Sequence, residues 1–424
     1  MVQRPSAAAN LDAWLAYLEA LHPTAIDMGL ERVQQVATAL QINPRPAKVI
    51  TVAGTNGKGS TVRYLETILR AAGYRTGVYI SPHLHSYEER VRINAEMLSA
   101  EQHVQAFNAV EDKRGDTSLT YFEFGTLAAF WLLQQQQVDV WILEVGLGGR
   151  LDAVNCIDAD VGVLTSVGID HVGFLGPDRT SIAREKAGIF RADKVAVIGE
   201  PDFPPAILQE LAQRAIVPRR VNDSFHYRLH ESGDTWQFSS PQSQLSELPV
   251  PQLPLPNAAT ALMALEALDL PVSLAAIRTG LANAREAGRL EIHQGNPDYL
   301  LDVAHNPHAA EFLTRYLQQR FPKRPIYAVV GMLKDKDIAG TLAALEPLVQ
   351  AWYLADLSGP RGASAQELAA ALRTSAAPPS ITCFATVPAA FEAACAQARD
   401  AAQGTQQQPL VLVCGSFYTV GQIT

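Results

Sequence analysis

The stretch that most constrains the fold runs from Val49 to Thr61, V-I-T-V-A-G-T-N-G-K-G-S-T. The β-branched run Val49–Val52 predicts a buried strand, Gly54 to Gly59 a tight loop, and Ser60 onward a helix closed by Gly73. Strand, glycine-rich loop and helix N-terminus together make an anion site. The glycines let backbone N–H groups turn inward, the helix dipole adds partial positive charge, and Lys58 can reach terminal phosphate oxygens. The expected anion is a nucleoside triphosphate. The general phosphate-loop pattern sets Ser or Thr directly after the lysine, whereas Gly59 intervenes before Ser60 here. The competing reading is a plain Gly/Asn turn between a core strand and a core helix.

A single core stops growing at about 250–300 residues, and this chain has 424. Two domains are therefore expected. A hydrophobic content of 48% with 18% charged residues excludes a disordered chain. The net charge of −9, with no dense Lys/Arg tract, argues against a nucleic-acid surface. Met1 to His22 reads as a folded amphipathic helix capped by Asn10 rather than a signal peptide, and the longest apolar run, near Phe124 to Leu133, is too short for a bilayer. Cys156, Cys383, Cys395 and Cys414 form no C-x-x-C pair, so buried free thiols in a reducing compartment are expected. Together these features predict a soluble, cytoplasmic protein.

Along the chain, T-A-I-D-M-G-L-E-R-V (Thr24 to Val33) reads as a loop feeding a second helix through Leu40. Arg75 to Ser81 reads as a strand, and S-P-H-L-H-S-Y-E-E-R-V-R-I as a long charged loop leaving its end. Tyr121 to Leu133 predicts a buried helix, Val138 to Val145 and Val161 to His171 predict strands, and Thr180 to Phe190 a short helix. Lys194 to Gly199 and Pro204 to Ala215 continue the alternation, which without hairpin signals means a mostly parallel sheet. From Arg219 to Pro256 the pattern shifts to a small antiparallel excursion followed by a Ser/Gln/Pro-rich loop. Helices resume at Asn257 to Leu268 and Ala275 to Ala282, and after a boundary near Ala284 to Gly288 a second α/β rhythm begins.

Ligands gather at the carboxyl ends of strands in open α/β sheets. Ser81, Glu144 and His171 all fall at predicted strand ends. A hydroxyl, a carboxylate and an imidazole beside a triphosphate suit Mg²⁺ or Mn²⁺ better than zinc. Taken singly, Ser81 is also a turn residue before Pro82, and a strand-end histidine is often a hydrogen-bonded structural one.

These residues resemble the Mur-ligase-like amide ligases, and within them the bifunctional bacterial dihydrofolate synthase/folylpolyglutamate synthase family. The segments that carry the resemblance run in family order over nearly the whole chain: T-A-I-D-M-G-L-E-R-V, G-T-N-G-K-G-S, S-P-H-L with E-R-V-R-I, F-E-F-G-T-L-A-A-F, L-E-V-G-L-G-G-R-L-D-A-V-N, T-S-V-G-I-D-H, I-A-R-E-K-A-G-I-F-R, L-P-N-A-A-T-A, G-R-L-E, D-V-A-H-N-P and C-G-S-F-Y-T-V-G. The resemblance implies an N-terminal phosphate-loop ATPase domain with a mostly parallel sheet and a pterin site over residues 1–286. It further implies a smaller C-terminal Rossmann-like α/β domain for glutamate ligation over 287–424.

The same resemblance implies that Thr55, Asn56, Gly57, Lys58, Gly59 and Ser60 hold ATP, joined by Asn257, Arg289, Asp302 and His305. Ser81, Glu144 and His171 would serve two Mg²⁺ ions, with Lys186, carbamylated in the family, as an anionic fourth ligand. Lys58, His171 and Lys186 are thus the expected catalytic residues. Without the family, Lys186 reads as a solvated helix lysine, Asn257 as an N-cap and Arg289 as a boundary charge. The pterin would meet Asp27, Met28, Gly29 and Leu30, then Thr120, Tyr121, Phe122 and Glu123, then Leu151, Asp152 and Ala153. Phe122 could cover the ring or simply pack in the core, and Asp27 or Asp152 could bond its amino edge. The linker reads E-A-G-R where P-G-R is usual, and G-M-L-K-D-K-D fits the glutamate domain without assigning its ligands.

The implied enzyme is a monomer acting on small molecules, namely dihydropteroate, tetrahydrofolate and L-glutamate, with no nucleic acid or membrane partner. The alternatives are a folylpolyglutamate synthase only, a Mur-type ligase acting on another carboxylate such as a cell-wall precursor, and a nucleotide-dependent switch that only senses ATP.

Overall fold

The computed structural model describes residues 3–372, 380–403 and 408–423. By compactness the chain forms two units, Met1–Val167 with Leu175–Ala284, and Gly168–Phe174 with Arg285–Thr424. In the first unit, α1 (Leu11–Leu21) starts where the Asn10 side chain accepts the Ala13 N–H, and α2 (Glu31–Ala39) follows the loop. The β-branched run forms β1 (Lys48–Ala53). Helix α3 (Lys58–Ala71) begins two residues before the expected Ser60, because Gly57 at φ +83° turns the chain directly into its first turn.

Strands β2 (Thr76–Tyr79), β3 (Val91–Ile93) and β4 (Glu96–Met97) come next. The end of the charged loop is therefore a strand, its Val91 and Ile93 facing Tyr79 and Gly77 across an antiparallel pair. Then come α4 (Ala100–Arg114), α5 (Tyr121–Gln135), β5 (Val140–Glu144) and β6 (Val161–Leu164). β6 stops well short of His171, because Thr165 and Ser166 turn their hydroxyls back onto the Asn56 carbonyl. The short α6 (Val172–Leu175), α7 (Arg179–Ala187), β7 (Val195–Ile198), α8 (Pro205–Gln213) and β8 (Arg219–Arg220) complete the alternation.

The main sheet runs β4-β3-β2-β5-β1-β6-β7-β8, parallel from β2 to β8. Its strands read as near-continuous apolar runs because both faces are covered. Along β1, Val49 and Ala53 join one core with α1, α2, α4 and α5, while Ile50 and Val52 join the other with α3. Each of the valine and isoleucine side chains, fully buried, stabilises the fold by about 1.5–3 kcal/mol.

The excursion is a three-stranded antiparallel sheet of β9 (His226–Leu229), β10 (Thr235–Ser239) and β11 (Gln244–Pro249). β11 lies inside the stretch expected to be loop; its pairing with β10 buries Leu248 and Trp236, enough to override the Ser/Gln composition. Helices α9 (Leu255–Ala267) and α10 (Leu274–Asn283) pack on α3.

In the second unit, β12 (Glu291–His293), which the sequence did not signal, pairs antiparallel with β13 (Asp298–Leu301). The remainder alternates α11 (Pro307–Arg320), β14 (Ile326–Val330), α12 (Ile338–Leu345), β15 (Val349–Ala355), α13 (Ala365–Leu372), β16 (Ser380–Phe384), α14 (Val387–Ala402), β17 (Leu410–Cys414) and α15 (Phe417–Val420). The sheet order is β12-β13-β17-β14-β15-β16, parallel after β12. The four cysteines are free; Cys395 and Cys414 are buried, Cys156 and Cys383 only half-buried. Among the described residues no helix is long and apolar enough to cross a membrane.

Candidate active site

The loop after β1 is built to present donors. The Gly57 carbonyl accepts from the Thr61 hydroxyl at 2.9 Å and from the Asn257 side-chain amide at 2.6 Å. Asn257 therefore lies inside the first turn of α9 and is not its cap, since Pro254 precedes the helix. A Cβ on Gly57 would fall 2.1 Å from the Asn257 Nδ2, so only glycine fits there. Lys58 Nζ donates to the carbonyls of Gly54 and Thr55 at 3.1 and 3.4 Å, which folds the ammonium over the loop. With no acidic residue in the first turn of α3, this end keeps its positive potential.

Ser81 follows β2 and Glu144 ends β5, two neighbouring parallel strands in register from Tyr79 to Leu143. The sheet thus brings their carboxyl ends side by side. Lys186 lies in the last turn of α7 and is 4% exposed, so it is not the solvated lysine its helix pattern suggested. Gly149 makes its neighbourhood possible: a Cβ there would sit 2.9 Å from the Lys186 carbonyl oxygen. His171 belongs to the segment grouped with the second unit and has φ +52°. Among the described residues no three His, Cys, Asp or Glu side chains cluster as a metal site. An ion at the strand ends would therefore also use the Ser81 hydroxyl, a hard oxygen donor that suits Mg²⁺.

The segments expected to hold a pterin are tied to one another. Glu123 caps α5 reciprocally with Thr120, and its other oxygen accepts from Arg32 at 2.8 Å. Arg32 also pairs with Asp27 at 2.8 Å. The Phe122 ring lies against the backbone of Gly146 and 6.3 Å from the Tyr79 ring. Asp152 accepts the N–H groups of Leu147 and Val154, and burial pushes its carboxyl up to about 6 despite those bonds and the charge of Lys58.

In the second unit Arg289 stacks on the Phe417 ring at 4.7 Å. Asp302 accepts the N–H groups of Leu290 and Ala304, and burial raises its carboxyl above the usual range. His305 Nδ1 lies 2.9 Å from the Val303 carbonyl and its Nε2 3.6 Å from Asp170. Asp170 also receives Lys336 at 2.7 Å and the Asn306 amide at 3.1 Å. Burial works against its ionisation, but the His305 hydrogen bond and the His171, Lys336 and His305 charges hold it well below the usual carboxylate range.

Sequence reasoning missed Arg32, Asp170 and Lys336 as organising residues. Each sits within a quoted motif, E-R-V, I-D-H and M-L-K-D-K-D, but a charge flanking a motif carries no sign of which partner it meets.

Residues 52–268 match the Mur ligase middle domain, and residues 288–417 match the Mur ligase glutamate ligase domain. The chain is 50% identical over 419 residues to the dihydrofolate synthase/folylpolyglutamate synthase of Escherichia coli, covering 99% of this chain and 96% of that one. It superposes with a TM-score of 0.93 on Escherichia coli FolC in complex with DHPP and ADP, at 50% identity, covering 99% of this chain and 98% of the other. With the bifunctional Yersinia pestis enzyme complexed with AMPPNP and Mn ion the TM-score is 0.91, at 50% identity and the same coverage of each chain.

Proposed function

Because the chain belongs to the dihydrofolate synthase/folylpolyglutamate synthase family of Mur ligases, we propose that it joins L-glutamate to 7,8-dihydropteroate at the expense of ATP and extends tetrahydrofolate with further glutamates. The observation that carries this reading is 50% identity to a bifunctional relative over 99% of the chain, combined with a loop whose shape only Gly57 permits. A nucleotide switch would need neither the strand-end oxygens nor a glutamate ligase domain.

A carboxylate is a poor acyl donor. Its oxygen attacks the γ-phosphorus of ATP, the bond to the β-phosphate oxygen breaks, and ADP leaves an acyl phosphate. The glutamate nitrogen then attacks the carbonyl carbon, phosphate departs and the nitrogen loses a proton. In this reading Lys58, folded over the loop, and the first N–H groups of α3 stabilise the charge that builds on the transferring group. Thr55, Asn56, Gly59 and Ser60 line the same loop and helix start. Asn257 fixes the loop carbonyl, and Arg289, Asp302 and His305 are the other nucleotide contacts of this reading.

Ser81, Glu144, His171 and Lys186 would hold the divalent metal, two ions in this reading. Metal at this site supplies Lewis-acid stabilisation of the phosphoryl oxygens when bound. Lys186 acts as its carbamate: the ammonium gives up a proton, CO₂ adds to the resulting neutral amine, a second proton leaves, and a buried cation becomes an anion. Met28, Gly29, Leu30, Tyr121, Phe122, Leu151, Asp152 and Ala153 form the pterin side of the site. The domains of this reading are 1–286 and 287–424, and the enzyme works as a cytoplasmic monomer.

The test is phosphate release with dihydropteroate or tetrahydrofolate, each with and without glutamate. The unaltered chain is expected to release phosphate with both acceptors, and Lys58→Ala and Glu144→Ala with neither. Release with tetrahydrofolate alone would favour a folylpolyglutamate synthase only, and full activity in either variant would refute the site.

A further inference from the structure

A closed polar circuit joins two stretches that are far apart in sequence. The Arg32 guanidinium meets the Asp27 carboxylate through Nη1 at 2.8 Å, and through Nη2 the Asp27 carbonyl at 2.9 Å and Glu123 Oε1 at 2.8 Å. Glu123 Oε2 accepts the Thr120 N–H at 2.8 Å. On the other side, Asp27 Oδ2 lies 3.1 Å from His22 Nε2, whose Nδ1 lies 2.8 Å from the Ser118 hydroxyl. The circuit therefore returns to the same connection before α5 from which it started. Inside it sit Met28, Gly29 and Leu30 on one stretch and Tyr121 and Phe122 on the other, all half-buried.

We propose that Arg32 is a positioning residue for the acceptor substrate, and that Glu123 acts through it rather than by touching the pterin. This rests on the dihydropteroate reading above. The Glu123 carboxylate is fully used, buried with one oxygen on Arg32 and the other on a backbone N–H, whereas the partly exposed Asp27 turns its Oδ2 to both Arg32 and His22. The two stretches tied by this planar fork carry the half-buried apolar and aromatic side chains of Met28, Leu30, Tyr121 and Phe122, a surface that suits a flat heteroaromatic ring. A guanidinium can bridge two carboxylates in that way, whereas an ammonium is a point charge without the fork. The Asp27–Arg32 pair is partly exposed and so contributes little to stability; its effect is on geometry.

The experiment compares the unaltered enzyme with Arg32→Met, Arg32→Lys and the double variant Arg32→Met/Glu123→Gln, the last removing the buried charge that Arg32→Met alone would strand. The KM for dihydropteroate is expected to rise about tenfold or more in Arg32→Met and in the double variant, with Arg32→Lys recovering part of the loss. The KM for ATP should stay within about twofold in all three. An unmoved dihydropteroate KM, or KM values for ATP and dihydropteroate rising together, would overturn the inference, since a merely structural arginine would do the latter. No turnover of dihydropteroate by the unaltered chain would overturn the proposed function and this inference with it; normal turnover with unmoved variants overturns the inference alone.

Discussion

Asn257 donates its side-chain amide to the carbonyl of Gly57 at 2.6 Å across a sequence separation of 200 residues. The helix that follows the antiparallel excursion thereby braces the loop that opens α3, and the two elements share one core with Ile50 and Val52.

Gly57→Ala should weaken nucleotide binding. The new Cβ would lie 2.1 Å from the Asn257 Nδ2, and the left-handed φ of +83° costs a non-glycine residue about 1–2 kcal/mol more. Titration with ADP should show affinity weakened by about tenfold or more; wild-type affinity would show that the loop takes another shape.

Lys186 is buried, and the carbamate proposed for it would depend on dissolved CO₂. Activity should fall when the protein is held in CO₂-free buffer at mildly acidic pH and return with bicarbonate, and labelled CO₂ should give a carbamate carbon signal that Lys186→Ala lacks. A signal of equal size in that variant would remove the assignment.

His103, in α4, is buried among Tyr87 and Phe107, and burial lowers its imidazole to about 4. Its folded value thus lies below the ordinary 6.5, so the unfolded chain binds the extra proton first as pH falls. Stability from this site is complete above pH 6.5 and is lost progressively down to about 4, by about 3 kcal/mol in all. Urea unfolding at pH 7 and pH 5 should show a steeper loss in the unaltered chain than in His103→Phe. Equal losses would mean that another group carries the acid sensitivity.

Gly280, on α10, lets that helix approach α3 so closely that a Cβ would lie 2.5 Å from the Ile68 Cα. The neighbour is backbone and cannot swing away. Gly280→Ala should therefore destabilise by about 1–3 kcal/mol, despite alanine's better helix propensity, and lower the thermal midpoint.

The phosphate loop, Glu144 and the alternation of strands and helices were legible because each rests on local pattern: β-branched runs, a glycine cluster and a carboxylate ending an apolar strand. What stayed hidden depends on distant partners. β11 and β12 exist because β10 and β13 offer them an edge, and neither sequence has strong strand character of its own. His171 was expected at the end of a long strand, yet β6 closes at Leu164 because Thr165 and Ser166 serve the phosphate loop. Lys186 reads as a surface lysine because its helix gives no apolar stripe to place it, and its burial emerges only from the tertiary packing.

Residues 168–174 group with the second unit although the chain on either side belongs to the first. The polypeptide thus passes between the two bodies three times, and severing it after Ala284 would not release two autonomous pieces. A fragment starting at Arg285 would carry Lys336, His305 and Asn306 but not the Asp170 carboxylate that gathers them. Its cluster would lose the counter-charge that the seven-residue detour delivers to the second body.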